Sequence, residues 1–298
     1  MKAMSPIRTF ARAALVAAAL LATVAHAQPG RAYLWEVVGM TNRVYLFGTV
    51  HAGKADWYPL PKAVEDAFAD AKVLAVEADV TDVNAMAKTA PSTTYTPPDS
   101  LDKHVPPADY ERFKKQLPRY KLPEAAVAQM KPFMAVSLLV FSEWARLGYL
   151  PQHGVDSYLI RKARAENKTV VEVEGVDVQI KLMDSLTEAE NRTIFDGTLP
   201  ALESGLSSEQ ITGMVNAWQA GDPDLMLQIA RRYNESIPGA KDFEEKFVWA
   251  RHDDMVRKIE GYLQSKERHF VAVGALHLAG PRGIVEMLRK KGYVVRQK

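Results

Sequence analysis

Short apolar runs mark both ends of the chain, and apolar residues at helical spacing fill the middle. Residues 32–38 (AYLWEVV) and 43–50 (RVYLFGTV) are rich in β-branched and aromatic side chains. The GMTN between them is a tight-turn sequence, so the pair predicts a hairpin. Residues 59–71 (PLPKAVEDAFADA) set Val64, Phe68 and Ala71 about one turn apart behind an opening proline, which predicts a helix. KVLAVEADV, residues 72–80, returns to strand character.

From residue 82 to about 264 the pattern is mostly helical. APSTTYTPPDS reads as a loop, and PADYERFKKQL and PEAAVAQM read as short helices opened by proline. PFMAVSLLVFSEWARLG is apolar on nearly every side and predicts a buried helix. The amphipathic GVDSYLIRKARAEN leads into a strand at 169–174, and VDVQIKLMDSL is helical again. A long helical stretch follows to Leu263, with breaks at Gly221–Pro223 and Pro238–Gly239. RHFVAVGALH is a strand, GPRGIVEMLRKKG a helix and YVVRQ a last strand. The expectation is one α/β domain over 28–298, a mixed β-sheet built from both ends with a large helical insertion at 82–264. Such a sheet would set the turns after its first and last long strands side by side.

Composition changes this picture mainly at the N-terminus. Lys2, Arg8 and Arg12 precede the apolar run ALVAAALLATV, and Ala25-His26-Ala27 fits a small-x-small cleavage site. Residues 1–27 therefore read as a secretory signal peptide, cleaved after Ala27, with no stable membrane span afterwards. That leader holds three of the 38 basic residues and none of the 36 acidic ones, so the remaining chain is close to neutral. Near-neutrality gives no electrostatic footing for nucleic acid. With 0 Cys the exported chain must fold without disulfides, which suits a periplasmic or secreted protein with a substantial core. GxGxxG, P-loop, HExxH and GxSxG patterns are absent, which argues against nucleotide binding, zincin chemistry and serine hydrolysis.

The chemistry lies in a repeated ending. YLFGTVH closes at His51 and VAVGALH closes at His277, each an apolar strand followed by Gly, two residues and His. The C-terminal edge of a sheet is where α/β folds hold ligands, and the glycine allows positive φ or a close approach. Two imidazoles from neighbouring strand ends suit a divalent metal when a carboxylate joins them. Glu77, at the end of VLAVE, and Glu174, at the end of VVEVE, stand in equivalent places. Either could instead meet a basic partner such as Arg251. His104, His153, His252 and His269 lack a comparable setting and read as surface or packing residues.

Taken with KPFMAVSLL, HGVDSYLIRKARAENKTVVEVEGVDVQIKLMDSL, WARHDDMVRKIEGYL and VAVGALHLAGPRGIVEMLRKKGYVV, these motifs resemble the TraB/GumN family, which is related to the TIKI metalloproteases. The resemblance spans nearly the whole chain after the leader. One departure is Arg251-His252, where the family usually reads Arg-Asn. The resemblance implies a metal-dependent peptidase acting on a peptide or protein, with manganese or cobalt favoured and zinc compatible. His51 and His277 would be metal ligands. Glu77 would be a ligand or the general base, Glu174 the second such carboxylate, and Arg251 a clamp for a substrate carboxylate or oxyanion. The alternative is a non-catalytic binding or regulatory protein that sequesters a peptide, a signal molecule, or a haem or metal complex.

Overall fold

The computed structural model describes residues Arg31–Lys298. The leader expected at 1–27 lies outside the described residues. Six strands form one sheet: β1 (Leu34–Val38), β2 (Arg43–Thr49), β3 (Val73–Val76), β4 (Thr169–Glu172), β5 (His269–Gly274) and β6 (Val294–Gln297). Their order is β4-β3-β5-β2-β1-β6. β1 and β2 are the hairpin, and β6 pairs antiparallel with β1. β2, β5, β3 and β4 run parallel to one another. The sheet is therefore mixed and does unite the two ends of the chain.

A parallel sheet covered on both faces wants continuous apolar strands rather than alternating ones. β3 (VLAV) is buried at every position, and β5 is buried from His269 to Val273. The helix Val155–Ala165 packs on β3 and β4, placing Val155, Leu159, Ile160 and Ala163 in the core. The helix His252–Gln264 packs on β2 through a stripe that includes Met255, Val256, Ile259 and Leu263.

The insertion builds a second core of its own from Leu101, Phe113, Leu117, Val136, Leu139, Phe195 and Leu199, among others. Its helices begin where the chemistry of the backbone asks them to. Thr187 and Glu190 make a capping box for Glu188–Ser204, and Asp222 accepts from the amides of Asp224 and Leu225 ahead of Pro223–Ser236. The breaks expected at Gly221–Pro223 and Pro238–Gly239 fall between the helices ending at Gln219, Ser236 and Phe247.

Three local expectations need correction. The helix Pro132–Arg146 is not buried all round: Ala135, Val136, Leu139 and Glu143 face the second core, whereas Phe141 is exposed. Phe133 and Phe141 line an apolar groove with Ile237 and Phe243. Residues Ala90–Thr93, taken as loop, close one helical turn. The last helix starts at Ile284, after Gly283, so the GPRG expected as its opening lies ahead of it. Among the described residues no helix is long and apolar enough to cross a membrane.

Candidate functional site

The four parallel strands all end at the same edge of the sheet. His51, Glu77, Glu174 and His277 follow the last residues of β2, β3, β4 and β5 within one to three positions. β2 and β5 are neighbours in register, with Thr49 opposite Gly274, so the two Gly-x-x-His turns leave the sheet side by side. Glu77 and Glu174 are brought together because the backbone N–H groups of Glu174 and Gly175 both donate to the Glu77 carbonyl.

The two glycines serve different ends. At Gly48 an added Cβ would stand 2.4 Å from the Tyr33 ring and 3.0 Å from the Ala275 backbone, so only glycine lets these elements meet. At Gly274 the φ is −49°, and a Cβ would meet His277 and Glu77 at ordinary contact distances of 3.4 and 3.6 Å. A third glycine matters as much. A Cβ on Gly154 would fall 2.3 Å from the His51 carbonyl, and it is this approach that seats the helix Val155–Ala165 under the first turn. Val155 N–H then donates to the Val50 carbonyl at 2.9 Å.

That helix delivers Asp156 from its first turn, where the macrodipole favours a carboxylate. Asp156 accepts from Thr49 Oγ1 at 2.6 Å and lies 2.9 Å from His51 Nδ1. An ionised carboxylate can only accept, so His51 donates through Nδ1, and Nε2 takes no part in that contact. The Asp156 charge, opposed by partial burial, raises the His51 pKa to about 9. The ring itself is 56% exposed, and Asp156 is buried beneath it.

The rest of the site is interior. Arg251, at the start of the helix His252–Gln264, aligns its guanidinium with both carboxylates. Nε donates to Glu174 Oε1 at 3.1 Å, and Nη2 donates to the other Glu174 oxygen and to Glu77 Oε1, the last at 2.5 Å. Nη1 is held by the Phe247 carbonyl at 2.7 Å. Only Glu77 Oε2 escapes this clamp. It lies 3.7 Å from His277 Nε2 and accepts from the Gly274 N–H at 3.3 Å.

The side chains of Arg251, Glu77 and Glu174 are 9, 10 and 5% exposed, so each charge depends on the others. Burial works to raise the Glu77 pKa, and His277, Arg251 and His51 outweigh it, holding the carboxyl down at about 2. Burial raises Glu174 against the opposing pull of Arg251. Burial pushes His277 down to about 3, with Arg251 adding to it and Glu77 opposing, so the ring is neutral.

Sequence reasoning set aside His252 and did not single out Asp156 or Thr49. His252 is 1% exposed, and its Nε2 lies 2.9 Å from His277 Nδ1. Its only signal in the sequence was adjacency to Arg251. Asp156 opens an ordinary amphipathic helix, and a first-turn Asp is common enough to carry no message by itself.

Among the described residues, no three His, Cys, Asp or Glu side chains converge as a ready ligand set. The donor chemistry nevertheless fits a divalent cation. His51 and His277 are each tethered through Nδ1, which leaves Nε2 clear of the tether, and Glu77 Oε2 has only a long amide contact to give up. A cavity of about 550 Å³ between the helices Pro223–Ser236 and Ala240–Phe247 borders the site through Trp249 and Arg282. It does not reach Glu77 or His277 directly.

A model of the TraB/PrgY/gumN family matches residues 33–297. The chain is 23% identical to "Uncharacterized protein YbaP" of Escherichia coli (strain K12), over 87% of this chain and 94% of the relative. It is 25% identical to "Metalloprotease TIKI homolog" of Amphimedon queenslandica, over 89% of this chain and 61% of the relative. It is 22% identical to "Metalloprotease TIKI2" of Danio rerio, over 84% and 57%. The match to the TIKI proteins thus spans about three-fifths of their length. No solved structure matches the chain.

Proposed function

The chain belongs to the TraB/PrgY/gumN family, and we propose that it is an exported metal-dependent hydrolase that cleaves peptide bonds. The observation that carries this reading is the pair of Nδ1-tethered histidines that follow Glu77 in strand order along the C-terminal edge of four parallel strands, with His277 beside it. Likeness to proteins named metalloproteases supports the reaction class. Export follows from the leader expected at 1–27.

His51 Nε2, His277 Nε2 and Glu77 Oε2 would hold the cation, manganese or cobalt in preference to zinc. When bound, such an ion supplies Lewis acidity to a water and to a substrate carbonyl. Glu77 is assigned as a ligand rather than as the base, since a carboxylate held near pKa 2 is a poor proton acceptor at neutral pH. Glu174 spends both oxygens on Arg251 and so fixes the guanidinium rather than touching the cation. Arg251 spends Nε and Nη2 on the two carboxylates and one Nη1 proton on the Phe247 carbonyl, so what it would offer a substrate carboxylate or a developing oxyanion is its positive charge and the second Nη1 proton.

Divalent metal content in the wild type and in a His51→Ala, His277→Ala double variant tests the reading. One ion per chain, lost in the double variant, is expected; equal content in both ends it. Mass spectrometry of a peptide library incubated with the Mn²⁺-loaded protein tests turnover, which Glu77→Ala should remove while the fold is kept.

One observation favours a second reading. Arg251 already pairs with both Glu77 and Glu174, as a stable binding cleft without turnover would require. In that case the protein retains a peptide, a signal molecule or a metal complex, and the library returns uncut.

A further inference from the structure

We propose that His252 is a positioning residue that keeps the His277 proton on Nδ1, leaving a lone pair on His277 Nε2 toward Glu77. The functional consequence rests on the metal-site reading above; the proton assignment does not.

Three contacts run in a line. His252 Nδ1 lies 2.8 Å from the Arg282 carbonyl oxygen, His252 Nε2 lies 2.9 Å from His277 Nδ1, and His277 Nε2 lies 3.7 Å from Glu77 Oε2. A carbonyl oxygen only accepts, so His252 Nδ1 carries a proton. A neutral imidazole has one N–H, so His252 Nε2 must accept. His277 Nδ1 is therefore the donor, and on a neutral ring this leaves His277 Nε2 bare. The orientation of one backbone carbonyl thus dictates the protonation pattern two rings away.

The competing pattern puts a proton on His277 Nε2. On a neutral His277 it would require His252 to carry both of its protons, as a cation, at 1% exposure.

The ring of His252 is also held sterically. Trp249 meets it edge-on at 5.3 Å and 87°, and His277 meets it at 5.1 Å and 63°. The Arg282 guanidinium lies 5.5 Å over the Trp249 ring, so one residue supplies both the anchoring carbonyl and the cover. Arg251 and His252 are consecutive at a helix start, and they reach Glu77 and His277 respectively. Two adjacent side chains therefore set the two groups that face each other across the site. The arrangement is asymmetric, because His51 leans on a carboxylate and His277 on a neutral ring.

Long-range ¹H–¹⁵N spectra of the metal-free protein read which ring nitrogen bears the proton. In the wild type His277 is expected as the Nδ1–H form. His252→Leu should shift it to a mixture with Nε2–H, and His252→Gln, whose amide oxygen can accept at a similar reach, should restore Nδ1–H. Calorimetry with Mn²⁺ alone should show affinity falling about 10–100-fold in His252→Leu and largely recovered in His252→Gln. A wild-type His277 protonated at Nε2, or a His252→Leu spectrum indistinguishable from wild type, overturns the proposal. The wild-type and Gln spectra decide it even if the Leu variant does not fold. A protein that shows the Nδ1–H form yet binds no Mn²⁺ removes the hydrolase reading and upholds the proton assignment.

Discussion

Both carboxylate oxygens of Glu174 accept from Arg251, whereas Glu77 meets the same guanidinium through one oxygen only. This pairing separates two glutamates that look equivalent in the sequence. Glu77 keeps one oxygen out of the clamp and Glu174 keeps none.

Glu174→Ala should therefore act first on stability. It strips a buried guanidinium of its two-point partner and leaves Glu77 to compensate alone. A loss of about 3 kcal/mol is expected in urea unfolding, at the lower end for a broken buried pair because Glu77 remains. A loss below about 0.5 kcal/mol, the scale of exposed pairs, would contradict the pairing.

The distinction between the carboxylates was not legible in the chain. VLAVE and VVEVE end similar strands, and strand alternation says which face a residue takes but not what waits there. Glu172 shows the point: two residues before Glu174, it accepts from the Asp79 amide and has no contact with Arg251 among its hydrogen bonds. The architecture was legible, because the apolar strands and the twin turns at His51 and His277 specify a sheet closed by both termini. The partners Asp156 and His252 were not. They come from helices whose sequences report their own burial, while the contact depends on how those helices dock.

The two turn glycines should respond differently to a methyl group. Gly48→Ala forces a contact with Tyr33 and the Ala275 backbone and should cost about 1–3 kcal/mol. Gly274→Ala meets only ordinary contacts at a permitted φ and should stay within about 1 kcal/mol of wild type. Thermal melts of the two variants side by side make the comparison. Equal losses would mean that the Tyr33 contact is not what selects glycine at position 48.

His51 should titrate far above a free imidazole. Asp156 raises its folded pKa to about 9, so the pairing contributes fully below the unfolded value near 6.5 and fades as pH rises through 9. Asp156→Asn should return the His51 midpoint, followed by NMR, toward about 6.5. It should also flatten the decline in stability between those values. A wild-type midpoint already near 6.5 would sink the prediction.

Glu143 offers an acid-side counterpart away from the site. It is 1% exposed and accepts from Arg146, Arg119, Tyr120 and Ser208. The Arg146 hydrogen bonds lead a set that outweighs burial and lowers its pKa to about 2. Its contribution is present above the ordinary value of 4.5 and lost as pH falls through about 2. Glu143→Gln should destabilise by about 1–3 kcal/mol at neutral pH. The gap to wild type should close by pH 2 in guanidinium unfolding. A gap unchanged across that range would show that the carboxylate's charge is not what counts.

β5 is the penultimate strand in the chain yet lies between β2 and β3 in the sheet. A nascent polypeptide emerging from the N-terminus can form its hairpin and its helices, but the middle of its sheet is missing until residues 269–274 arrive. The pairing of β2 with β5 closes a loop of most of the chain's length, a slow, non-local event. Loss of the last thirty residues would take one of the two histidines' own strand with it. Whatever chemistry this centre performs, it cannot assemble before residues 269–277 have been made and β5 has paired with β2 and β3.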